Sequence, residues 1–159
     1  MSARAFFIVP LFFAPVLAFS QAEFVPEIQF SCGEAAVTIE VIKRDFPQRE
    51  LRLEPVLTIT LNDVSTTLRY WGSIDFIGGM CSADARGRPM VVYRASCGGS
   101  GCDVEGNWGI INATNLRVLL VPRDSNQDVA REILGGELPE IQQRISVRRA
   151  DQRLYPDQQ

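Results

Sequence analysis

The sequence predicts an α+β fold, mainly an antiparallel β meander of six to seven strands with one short helix late in the chain. A small β-barrel or sandwich is the alternative arrangement. Three observations lead there. Apolar and polar residues alternate with a period of two over most of the stretch from Val37 to Val121. Asn, Asp, Gly and Pro separate the alternating runs and supply the backbone conformations that turns need. After Pro122 the alternation stops, and Val129, Ile133 and Leu134 recur at helical spacing.

Each element follows from that pattern. Val37, Ile39 and Val41 face one way, with Thr38 and Glu40 between them, as in a half-buried strand. The run from Leu51 to Leu61 repeats this. Pro55 divides it, which marks an edge or a bulge. Asn62-Asp63 is the next turn, followed by a strand through Leu68 and Tyr70. Gly72-Ser73 breaks the chain before a strand at 74–77, with Ile74 and Phe76 flanking Asp75, and Gly78-Gly79 ends it. Arg86-Gly87-Arg88-Pro89 closes a loop ahead of Met90–Ala95. Trp108–Ile111 and Leu116–Val121 follow, joined by a turn at 112–115. The second of these is apolar on both faces and reads as a central strand. Ser125 or Asn126 is placed to cap a helix that Gly135-Gly136 terminates. Residues 138–147 fit either a short helix or a last strand.

Composition limits the chemistry. The chain has 159 residues, enough for one domain, with 46% hydrophobic and 22% charged residues, near the globular average. Sixteen basic residues against nineteen acidic ones give −3, so there is no net basic field for a nucleic-acid backbone. Histidine is absent, which excludes Ser-His-Asp and Cys-His catalysis, histidine metal ligation and a histidine pH switch. No cofactor motif is present, and no cofactor is expected.

Residues 1–22 read as a cleaved secretory signal peptide. Arg4 precedes the apolar run Ala5–Phe19, and Ser20-Gln21-Ala22 supplies small residues before the cut. Fifteen apolar residues are short of the ~20 of a spanning helix, so no membrane span is expected after cleavage. Residues 23–147 form a single disulfide-stapled β-rich domain, and 148–159 a flexible polar tail. The expected location is periplasmic or secreted.

Export makes the four cysteines two disulfides. Cys97 and Cys102 enclose Gly-Gly-Ser-Gly, flexible enough for a local bridge, which leaves Cys32 with Cys81. Loop-closure entropy assigns about 2 kcal/mol to the short ring and about 4 kcal/mol to the long one. Four residues inside the short pair, with no helical pattern after it, argue against a redox centre.

Other motifs read as structure. Asp124-Ser125-Asn126-Gln127-Asp128 resembles the start of a calcium loop. Val129 stands where its glycine belongs and Gly135 where its glutamate belongs, so the residues read as a helix start, and no metal site is expected. Asn112-Ala113-Thr114 fits a glycosylation acceptor in a turn. Asp75, Asp103 and Glu105 are carboxylates near strand ends, without the paired spacing of a carbohydrate hydrolase.

The expectation for function is an exported, non-catalytic binding protein that recognises a partner protein in the bacterial envelope, of inhibitor, immunity or accessory type. A carboxylate-only carbohydrate hydrolase and a structural envelope component are the alternatives. The candidate surface is the stapled loop leading to Trp108, with Asp103 and Glu105 in it, and Arg86 and Arg88 on another loop with no evident partner within the chain. A pinned loop loses little entropy on binding, and Trp and Arg are enriched where binding energy concentrates.

Overall fold

The computed structural model describes residues 27–43, 53–70, 74–98 and 106–154. The proposed signal peptide lies outside them. The described residues form nine strands and two helices: β1 (Glu27–Cys32), β2 (Ala35–Lys43), β3 (Leu53–Leu61), β4 (Val64–Arg69), β5 (Phe76–Ala83), β6 (Pro89–Ser96), β7 (Trp108–Asn112), β8 (Val118–Leu120), α1 (Gln127–Leu134), β9 (Arg144–Ser146) and α2 (Val147–Leu154). They make two antiparallel sheets, β1-β2-β3-β4 and β8-β7-β6-β5-β9. The sheets do not close into a barrel. The α+β class and the antiparallel meander hold, arranged as two packed sheets.

The first sheet is built from two tight hairpins. Gly33, at φ 60°, is the first of the two residues between β1 and β2, as a II′ turn requires. Asn62 and Asp63, at φ 47° and 64°, join β3 to β4 as a I′ turn. The inner face carries Ile28, Val37, Ile39, Leu57 and Ile59, all buried against Ile77, Val91, Tyr93 and Ile111 of the second sheet. The outer face is polar. There Thr58 and Thr67 pair their hydroxyls at 3.3 Å, and Thr60 and Ser65 at 2.8 Å.

The second sheet is covered on both faces. Its far face buries Met90, Val92, Trp108, Ile110 and Leu120 with Ala130 and Leu134 of α1. This explains why β6 and β8 are apolar without alternation. It also corrects the placement of the 116–121 run. Only Val118–Leu120 is a strand, and it is an edge strand. Its second apolar face meets α1 and not another sheet.

Four further expectations change. Pro55 does not divide β3. It pairs with Val41, and its carbonyl accepts from Tyr70 N–H at 3.0 Å. The amide it lacks therefore faces β4 at the end of that strand, and the ladder to β2 is untouched. Gly78-Gly79 does not end β5 but lies inside it. A Cβ on Gly78 would strike the Gln143 carbonyl, and one on Gly79 would lie 2.9 Å from Ile39 Cδ1. Asn126 is the N-cap residue of α1, yet its side chain makes no cap bond. It accepts from Trp108 N–H (2.9 Å) and donates to the carbonyls of Trp108 (2.7 Å) and Val121 (3.0 Å). The segment from 148, expected as a loose tail, begins as α2. The ambiguous 138–147 stretch holds β9, which pairs with Phe76–Gly78.

Candidate functional site

The expected recognition surface is not assembled as one patch among the described residues. Trp108 is only 6% exposed. It packs in the core beneath α1, with the Arg94 guanidinium 5.0 Å from its ring centre. The expected anchor therefore lies in the core of this structure and not on its surface. Arg88 is not without a partner. Its guanidinium binds the Asp84 carboxylate, with Nε at 2.7 Å. The same carboxylate accepts the backbone N–H groups of Arg86 and Arg88, each at 2.9 Å. These bonds, the Arg88 side chain first, hold the Asp84 carboxyl below its ordinary range. Asp84 thereby fixes the β5–β6 loop and leaves Arg86 exposed on it. Asp103, Glu105 and Cys102 lie outside the described residues. Cys97 is disulfide-bonded.

Asn112 is buried, and its side-chain oxygen accepts from both the N–H (2.9 Å) and the hydroxyl (2.7 Å) of Thr114. It is a turn residue. Among the described residues, no three His, Cys, Asp or Glu side chains gather for a metal. No described helix is long and apolar enough to cross a membrane.

What the fold does assemble is a groove between the two sheets. Cys32 of β1 and Cys81 of β5 are joined by a disulfide, with Cα atoms 5.0 Å apart. Beside that bridge lies an open groove of about 320 Å³, lined by Phe30, Ser31, Gly79, Met80, Cys81, Glu140, Gln142 and Gln143. Phe30 and Met80 supply apolar surface. Glu140 supplies the one charge in the lining, and Gln142 and Gln143 supply amides.

The strands explain why the groove is open. β1 pairs with β2 on one side only. β9 covers just Phe76–Gly78 of β5, so Gly79–Ala83 has β6 on one side and, among the described residues, no strand on the other. Gly78 lets the 141–143 segment press against β5 and form the third wall. The sequence signal for this site was the Gly78-Gly79 pair, which reads as a strand end until the opposing backbone is seen. No family model, curated protein or solved structure matches the chain.

Proposed function

We propose that this chain is an exported, non-catalytic binding protein that takes an extended segment of an envelope protein into the groove between β1 and β5. The observation that supports this reading is the groove itself, bordered by β1, which pairs on one side only, and by Gly79–Ala83 of β5, which has no strand opposite β6 among the described residues. Unpaired strand edges carry free N–H and C=O groups, and an added strand satisfies them. Phe30 and Met80 offer apolar contact to alternate side chains of such a segment, and Glu140 favours a basic one. Glu140 is the lone carboxylate of the lining, so the groove does not hold the pair that glycoside hydrolysis needs.

The test is capture from envelope extract with the immobilised chain, beside a Ser31→Pro variant. In the β1–β2 register, Ser31 points its backbone groups away from β2, so proline there leaves that ladder intact. One stoichiometric protein held by the wild type and lost by a folded Ser31→Pro supports the reading. Retention by Ser31→Pro removes the groove from it, and capture of nothing by either form rejects it.

A further inference from the structure

The outer edge of β4 points to a second occupant, independent of the groove. Natural sheets protect exposed edges with short strands, bulges, prolines or inward charges. The second sheet follows that rule. Its edge strands β8 and β9 have three residues each, and the β7–β8 ladder is irregular at Ile110/Ile111. β4 does not. It runs for six residues, Val-Ser-Thr-Thr-Leu-Arg, in unbroken register with β3 and with no proline or glycine. Among the described residues, no strand pairs with its other side.

The direction of its free groups is set by two observations. The I′ turn closes on the Leu61–Val64 pair, and Tyr70 N–H donates to Pro55. Even-numbered residues of β4 therefore turn their backbone groups to β3, and Ser65, Thr67 and Arg69 turn theirs outward.

We propose that β4 pairs antiparallel with β4 of a second copy about a two-fold axis at Thr66, making one eight-stranded sheet. Residues directly opposite must share a face, and this register meets that condition throughout. Ser65 falls opposite Thr67, so the outward backbone groups exchange hydrogen bonds. Val64, which is 63% exposed, falls opposite the partly buried, core-packed Leu68. Asp63 falls opposite Arg69, whose side chain is 41% exposed while it binds Glu54. The apolar pair and the ion pair each occur twice, because the axis repeats them.

Sedimentation velocity of the full chain, from micromolar to millimolar concentration, tests this. The wild type is expected to shift from monomer to dimer as concentration rises. Thr67→Pro removes an outward N–H and no backbone bond to β3, giving up only the exposed hydroxyl contact with Thr58, and is expected to stay monomeric with the sheet otherwise unchanged. Asp63→Asn keeps a residue that tolerates the turn and is expected to weaken the dimer by up to about thirtyfold, the ceiling for two exposed ion pairs. Thr66→Cys is expected to cross-link to its own copy under oxidation, since the two-fold brings those residues face to face. A wild type monomeric throughout overturns the proposal. So does a dimer that Thr67→Pro leaves unchanged, or one in which Thr66→Cys fails to cross-link.

Discussion

Tyr93 sits between two glycines across the sheet. Gly79 is its partner on β5 and Gly109 its partner on β7. A Cβ on Gly109 would run into the tyrosine ring. The ring is wholly buried, and its hydroxyl meets that of Tyr70 at 2.8 Å. Burial pushes Tyr70 up to about 12 and raises Tyr93 as well. A group raised on folding stabilises fully below its unfolded value of about 10 and loses that stabilisation as pH climbs through the folded value. The pair thus stays neutral and hydrogen-bonded until strongly alkaline pH. Gly109→Ala is expected to cost about 2–4 kcal/mol in urea unfolding, because the ring must leave its site. Tyr93→Phe loses one hydrogen bond and is expected to cost about 1–2 kcal/mol. If the alanine variant were the milder one, close packing over Gly109 would not be the constraint. Asp84 works at the other end of the pH scale. Its carboxyl is lowered on folding, so its contribution is present above the unfolded value of about 4 and fades as pH falls through the folded one. Asp84→Asn is expected to be less stable than wild type at neutral pH, with the gap closing in acid. A gap that persists unchanged at low pH would refute the ionic role.

At the scale of elements, α1 is joined to the sheet by one side chain more than by its cap. Asn126 is 1% exposed and satisfies three backbone groups, two on Trp108 and one on Val121. It holds the start of the helix against β7 and fixes the path of the chain beyond β8. Asn126→Ala removes all three bonds, two of them at the buried Trp108. The expected loss is about 2–4 kcal/mol, several times that of removing an ordinary cap, with faster amide exchange at Trp108. Protection at Trp108 equal to wild type would show that the cross-link is dispensable. The helix itself ends as its sequence predicts, with Gly135 at φ 73° donating to the Arg131 carbonyl at 2.8 Å. What the sequence concealed was the target of Asn126. An N-cap asparagine and a strand-tethering one are the same residue at the same place, and only the approach of β7 separates them.

For the molecule as a whole, the legible features were local. Alternation in 37–41 and 56–61, the turn at Asn62-Asp63 and the Gly135 stop all depend on neighbouring residues, and all are readable. β1 was overlooked although Ile28, Phe30 and Cys32 alternate with Glu27, Gln29 and Ser31. β9, at three residues, is too short to leave a pattern and exists because β5 offers an edge. The groove was not legible, because its walls come from residues 30–31, 79–81 and 140–143, brought together only when the sheets pack. Trp108 shows the converse. Its chemistry suits a contact residue, but α1 covers it. The Cys32–Cys81 bridge was anticipated by elimination, and it ties one sheet to the other across 49 residues. Replacing both cysteines by alanine is expected to cost about 4 kcal/mol in urea unfolding, with a larger m-value as the unfolded chain expands. A loss below about 1 kcal/mol would mean that packing alone holds the sheets.

That bridge also decides how the molecule bears tension. β2, β3 and β4 all lie within the covalent loop from Cys32 to Cys81. A pull on the N-terminal side of β1 can peel it from β2 only over Glu27–Ser31. Beyond that the force passes through sulfur into β5 of the second sheet. The three remaining strands of the first sheet hang beside the stretched path and not along it. A protein fastened at both ends would keep that sheet slack and folded while its other half took the strain.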